Sequence, residues 1–362
     1  MTLPAPRTAE AFGLLRKILD DMRAVIDADA ETELEWLDGI RVLGRITALC
    51  LELNLDVDPD APRLFSMDTP ARFVGGPNPE GEYRLAMIDG ARSYRISGRR
   101  GTTAYLGFQI LAGRGASPRR MAAYRSDREL GLEPDAPFSL LLGPAGSEAR
   151  VREGEAFVPL PDDASAVVVR EYIGDRDRER AAELRIEATG PPPPPETTDR
   201  ALAEQITAAA WTIAKLATLH RSILPELLTE PNRFVTAKPA ELGGENTTPD
   251  NLYMIGSFRL EEDEALVVDL EPPPTRYWSF VLENVWHECI EPRRRRSSIT
   301  HARARTRADG SVRLVIARRD PGCPDWLDPG GRHRGFMTFR WLDHPAPPPV
   351  SVRRLRLSEV RP

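Results

Sequence analysis

His301 and Asp320 are the residues of this chain whose types best suit acid/base chemistry. A carboxylate beside an imidazole orients the ring and tunes its proton affinity, the working arrangement of many hydrolases, lyases and isomerases. His287 and Cys289 suggest a different chemistry. In an extended segment they share one face, and zinc accepts imidazole and thiolate ligands. Their spacing fits no zinc module and the chain has no Cys-x-x-Cys, so neither a resident metal nor another cofactor is expected. Arg170 and Arg340 lie within the apolar runs Val167-Val168-Val169-Arg170-Glu171-Tyr172 and Met337-Thr338-Phe339-Arg340-Trp341-Leu342. A guanidinium so placed must find a carboxylate or carbonyl, reach solvent, or hold an anionic substrate. Tyr83, Asn246, Asn251 and Tyr253 complete the expected substrate-binding set, since amide and phenol groups bond well to irregular backbone or to a ligand.

These residues recur in order. Pro62-Arg63-Leu64-Phe65, Gly75-Gly76-Pro77-Asn78, Tyr83 and Tyr105-Leu106-Gly107-Phe108 are echoed about 170 residues later by Pro231-Asn232-Arg233-Phe234, Gly243-Gly244-Glu245-Asn246, Tyr253 and Tyr277-Trp278-Ser279-Phe280. The sequence therefore reads as two related halves facing one ligand or one partner, with the crossings near Asn78 and Asn246 lining the cleft between them.

The elements that must position the site follow from periodicity. Leu14, Leu15, Ile18, Leu19, Met22 and Ile26 recur at three- and four-residue steps and predict a helix, as do Ile206, Ala210, Ile213, Leu216 and Leu219. Short apolar or alternating runs between turn residues predict strands, among them 105–110, 166–172, 252–258, 265–270, 277–282 and 336–341. The expected class is α+β, mainly β: two tandem β-sandwich or jelly-roll domains related by internal duplication, each preceded by helices. The expected limits are N-terminal helices over 1–56, a first sandwich over 57–175 and a charged, proline-rich linker over 176–198. A helix over 199–230, a second sandwich over 231–345 and a tail over 346–362 follow.

Composition narrows the classes. A net charge of −6 and the lack of wide basic–aromatic interleaving argue against nucleic acid as partner. No apolar run reaches membrane-spanning length, and the N-terminus lacks the apolar core of a signal peptide. Three cysteines form no disulfide framework, which points to a reducing compartment and a cytoplasmic location. The chain has no Gly-x-Ser-x-Gly, no dinucleotide fingerprint after a strand and no His-Glu-x-x-His.

Glu241-Leu242-Gly243-Gly244-Glu245-Asn246, Asn251-Leu252-Tyr253, Arg276-Tyr277-Trp278-Ser279-Phe280 and the stretch from Asp309 through Trp326-Leu327-Asp328 resemble the bacterial family DUF1214. The first half resembles it through the repeat, and its Asn78-Pro79…Tyr83 is similar to the partner family DUF1254. The resemblance implies a β-sandwich architecture and no established reaction. After Trp-Leu-Asp that family usually reads Thr-Ala-Gly-His, whereas this chain reads Pro329-Gly330-Gly331-Arg332, with His333 one place late.

The functional expectation is a cytoplasmic protein that binds a small organic or carbohydrate-like ligand between two β-sandwich domains. Cofactor-independent acid/base chemistry by His301 and Asp320 would extend that role, with Arg340 and Tyr253 positioning substrate. A non-catalytic scaffold or assembly module, and a metalloenzyme using His287, Cys289 or His301, are the alternatives. Homo-oligomerisation is compatible with each.

Overall fold

The computed structural model describes residues 6–113, 119–191, 197–242, 247–344 and 346–361. Two helices, α1 (Pro6–Asp29) and α2 (Glu33–Leu55), open the chain. The first half then runs through β1 (Phe65–Ser66), β2 (Gly81–Met87), β3 (Tyr94–Arg99), β4 (Tyr105–Ala112), β5 (Arg120–Ser126), β6 (Pro137–Gly143), β7 (Ala156–Pro159), β8 (Ala164–Tyr172) and β9 (Glu183–Ala188). Three further helices follow: α3 (Asp199–Ala217) and the single turns α4 (Leu219–Ser222) and α5 (Glu226–Thr229). The second half comprises β10 (Arg233–Ala237), β11 (Asn251–Arg259), β12 (Glu264–Leu270), β13 (Trp278–Glu283), β14 (Ser298–Thr300), β15 (Val312–Ala317), β16 (Trp326–Leu327), β17 (Arg334–Leu342) and β18 (Val350–Arg356). The protein is mainly β, with helices ahead of two sheet-rich halves.

Each half pairs a five-stranded sheet with a four-stranded one. The orders are β1-β2-β8-β4-β5 with β7-β6-β3-β9, and β10-β11-β17-β13-β14 with β16-β15-β12-β18. Adding nine to every strand number of the first half gives the second. The single parallel pair among these strands also recurs, β6–β7 in one half and β15–β16 in the other.

Period-two alternation explains which face is dry. In the second half, Phe280, Leu282, Phe339 and Trp341 of the large sheet meet Leu266 and Leu314 of the small one. In the first half, Phe108 and Val169 meet Ile96 and Leu142 in the same way. Arg170, Tyr172, Thr338 and Arg340 alternate with these core residues and therefore project from the other face of each large sheet.

The helices form one layer rather than two separate preludes. Thr8 N–H donates to Asp199 at 2.9 Å, and Arg221 chelates Asp29 at 2.6 and 2.7 Å, so α1 and α3 run side by side in the same direction. Ile18, Ile46, Ile213 and Trp286 share their core. Thr198 caps α3 by accepting from the Ala201 N–H at 3.1 Å. The helix expected over 199–230 stops at Ala217, and α4 and α5 continue as separate turns.

Two expectations need correction. The expected linker contains β9, which pairs with β3, and the expected tail contains β18, which pairs with β12. Both strands lie at sheet edges. Glu183, Arg185 and Glu187, and likewise Arg354 and Arg356, fill their solvent side, as edge strands require to discourage pairing with other chains. That charge density hid the alternation.

Candidate functional site

The polar face of each large sheet carries the same pair. Tyr83 of β2 stands opposite Arg170 of β8, and Tyr253 of β11 stands opposite Arg340 of β17. The chain entering β2 and β11 then folds back over its tyrosine. The Asn78 N–H donates to the Tyr83 hydroxyl and the Thr248 N–H to the Tyr253 hydroxyl, both at 3.2 Å.

The two halves exchange side chains across these crossings. Arg340 Nη2 donates to the Gly76 carbonyl of the first half at 2.6 Å, and Arg170 Nη1 donates to Thr248 Oγ1 of the second at 3.0 Å. Asn78 Nδ2 donates to the Tyr277 hydroxyl and Asn251 Nδ2 to the Tyr172 hydroxyl, each at 2.7 Å. Between them Tyr105, Tyr172 and Tyr277 stack, with centroids 4.8 and 5.1 Å apart and ring planes within 18°. Arginine and asparagine here tie the two halves together.

The electrostatics concentrate on Tyr253. Burial pushes its hydroxyl up, but Arg170 and Arg340, with bonds from Asn251 and Thr248, outweigh this and hold it below the ordinary tyrosine value. Arg340 also lies 5.9 Å above its ring. Tyr172, by contrast, is driven up by burial and by Tyr253 and Tyr83. Arg340 is only 4% exposed, and its Nη1 is buried without a hydrogen-bond partner. Tyr83 and Tyr253 stay half-buried among these enclosed groups, so solvent-sized space touches them.

Beside Arg340 lies a second buried unit. Glu283 accepts from Thr338 at 3.1 Å and pairs with His287 Nδ1 at 2.9 Å. The His287 ring stacks on Phe336 at 4.1 Å, and its Nε2 is buried without a partner. His287 has φ +56°, so the segment is a turn and the extended alternation expected for His287 and Cys289 does not occur. Cys289 donates its thiol to the Pro77 carbonyl at 3.4 Å, and burial raises its pKa well above the usual value. Among the described residues no three His, Cys, Asp or Glu side chains converge as a metal site.

The structure gathers Tyr83, Arg170, Asn251, Tyr253 and Arg340 at one interface; Asn246 lies outside the described residues. It does not unite His301 with Asp320. His301 sits edge-on to Tyr277 at 5.6 Å, at the seam between the halves, where burial lowers its pKa. Asp320 is an exposed turn residue beyond β15 whose Oδ1 accepts from the Gly322 N–H at 2.8 Å. Asp320 is satisfied within its own turn, as the sequence Asp320-Pro321-Gly322 favours, while His301 Nδ1 is buried at the seam without a hydrogen-bond partner, so that acid/base pair is not formed.

Sequence reasoning missed Glu283, which ends an apolar strand, and Asp68, which lies in irregular chain. Asp68 Oδ2 is buried without a partner. Burial, then Glu82, raises this carboxyl to about 7 against the pull of Arg72, Arg176 and Arg293. An unfolded aspartate ionises near 3.9. Between these values the folded state holds a proton that the unfolded chain has released, so this group's contribution to stability falls as pH rises from about 4 to about 7, then levels off. Asp68→Asn should remove that slope. Urea unfolding at pH 5 and pH 8 should show the variant gaining on the parent by on the order of 1–2 kcal/mol at the higher pH, after allowing for partial exposure. Equal differences at both pH values would mean that Asp68 does not hold the proton.

The comparisons place this geometry. Residues 259–346 match the family described as "Protein of unknown function (DUF1214)". Tyr277, Glu283, His287 and Arg340 lie within the DUF1214 match, whereas Tyr83, Arg170 and Tyr253 lie before it. The crystal structure of an uncharacterised protein from Burkholderia cenocepacia superposes with a TM-score of 0.90 at 25% identity, covering 98% of this chain and 100% of that one. The VPA0106 protein from Vibrio parahaemolyticus shares the fold more loosely, with a TM-score of 0.53 at 10% identity over 87% of this chain and 100% of that one. No curated protein matches the sequence.

Proposed function

We propose that the chain binds a small anionic organic molecule between its two halves and that Tyr253 performs acid/base chemistry on it. The observation that carries this reading is Arg340: nearly enclosed, hydrogen-bonded to a backbone carbonyl, and left with Nη1 unpaired. A buried cation without a directly bonded carboxylate is costly unless something anionic completes its shell. Arg340 and Arg170 would hold the anion, and Asn251, whose Oδ1 is also buried without a partner, would accept from a ligand hydroxyl. Tyr253 would shuttle the proton, since its flanking guanidinium groups favour the phenolate.

The same reading treats the halves as an internal duplication, which the shared strand order supports. Three unpaired cysteines support a cytoplasmic setting. No helix among the described residues is long and apolar enough to cross a membrane.

The test is a thermal-shift and native mass-spectrometry panel of small carboxylates, organic phosphates and neutral sugars. One anionic class should raise the melting temperature of the parent and leave that of Arg340→Met unchanged. A neutral sugar that stabilises both proteins equally would overturn the reading.

A further inference from the structure

The second half has a concavity far from the Arg/Tyr interface. It opens on the face of β15 opposite the sandwich core, where Val315 alternates with the core residues Leu314 and Ile316. Its volume is about 430 Å³, within the range of small-molecule sites. Arg305, Arg307 and Arg313 line it together with Val315, Cys323 and Asp325.

The charge here runs against that of the chain. The protein carries a net −6, yet the carboxylates at this rim are already committed. Asp269 takes Arg313 Nε at 2.6 Å and Nη2 at 3.1 Å, Arg353 at 2.9 Å, and Arg307 more distantly at 3.5 Å. Asp325 accepts from Arg296 at 2.6 Å through one oxygen and from the Arg305 backbone N–H at 2.7 Å through the other. The guanidinium groups of Arg296, Arg307, Arg313 and Arg353 thus share two carboxylates, with Asp320 acting on Cys323 from farther off and Arg305 adding a further positive charge to the lining. The Arg313 fork is fixed in place by Asp269, and among the described residues the Arg305 side chain makes no hydrogen bond or ion pair of its own. Fixed guanidinium forks match the oxygens of a phosphate group, and the surplus positive charge favours a dianion over a monocarboxylate. The Val315 side of the pocket supplies an apolar wall for the rest of the ligand.

We propose that this pocket is a binding site for a small organic phosphate, with Arg305 and Arg307 taking the phosphate oxygens and Arg313 holding the floor. The site is independent of the interface between the halves, and its ligand need not be the molecule bound there.

Cys323 provides the readout. It lines the pocket and is half-buried, whereas Cys50 and Cys289 are buried. Alkylation of Cys323 in the full-length protein by neutral iodoacetamide is followed by peptide mass mapping, with ionic strength matched by chloride. Phenyl phosphate should slow the reaction saturably, by about tenfold once its concentration reaches about ten times Kd. Inorganic phosphate should protect at higher concentration, and benzoate only weakly. In Arg305→Gln, a change at an exposed position, protection measured against that variant's own unprotected alkylation rate should be lost. Absence of saturable protection would overturn the proposal, as would equal protection by phenyl phosphate in the variant. Benzoate protecting as well as phenyl phosphate would overturn the assignment to a phosphate.

Discussion

Replacing Arg332 with methionine should lower the free energy of unfolding by about 3 kcal/mol, the low end of the cost of breaking a buried ion pair. Arg332 grips Asp38 of α2 through Nε at 2.5 Å and Nη2 at 2.9 Å, and the two side chains are 4% and 1% exposed. Without it, Asp38 keeps only Arg41, at 2.8 Å. Arg334 holds Glu35 one turn away with two bonds of 2.8 Å, and Glu288 takes both Arg41 and Arg45. These pairs fasten α2 to the second half, so the loss should appear as helix-layer detachment as well as a lower urea midpoint. The double variant Asp38→Leu/Arg332→Met should recover most of the stability, because two charges replaced by apolar groups leave nothing stranded. A single-variant loss below about 1 kcal/mol would show that solvent reaches Asp38 and screens it. Gly330 belongs to the same device. It has φ +62°, and a methyl group there would lie 2.5 Å from Arg332 Nη1. Arginine at 332 therefore needs the space that glycine at 330 leaves.

Spacing alone exposed the paired tyrosines and arginines because strand register preserves it. Tyr83 faces Arg170, and Tyr253 faces Arg340, in the same two-strand arrangement. The alternation that buries Val169 and Phe339 must also turn Arg170 and Arg340 away from the core, so their shared polar face follows from period two. What spacing could not reveal is the exchange between halves. Nothing local to Arg340 says that its partner is the Gly76 carbonyl, 264 residues away. The proposed pairing of His301 with Asp320 failed for the same reason. Their residue types fit, but one belongs to the seam beside Tyr277 and the other to a solvent turn, and residue type carries no information about distance. Edge strands β9 and β18 were obscured by the charges that protect them. Glu283 gave no signal because a carboxylate ending an apolar strand resembles any strand terminus, so His287 was read with Cys289 and not with the carboxylate it pairs with.

Ultraviolet titration should detect one tyrosine that ionises below the ordinary value of about 10, and Tyr253→Phe should abolish that phase. The contrast is favourable, because burial pushes Tyr83, Tyr105, Tyr124, Tyr172 and Tyr277 upward. Arg340→Met removes one of the two guanidinium groups that favour the Tyr253 phenolate, and should move the early phase upward. The sign for stability follows. A phenol whose folded pKa is depressed contributes stability that is present above the unfolded value and is lost as pH falls through the folded value. Tyr253→Phe should therefore cost more at pH 10 than at pH 7. The sign for binding is opposite. An anion held by Arg170 and Arg340 competes with the phenolate for the same positive charge, so occupancy must raise the Tyr253 pKa, and affinity must fall as pH rises through it. Calorimetry in buffers of different ionisation enthalpy would register this as proton uptake on binding near that pKa. If no tyrosine titrates early, or if the early phase survives in Tyr253→Phe, the two guanidinium groups do not act on Tyr253 and the acid/base role assigned to it fails. Anion binding at Arg340 would then stand or fall on the Arg340→Met thermal shift alone.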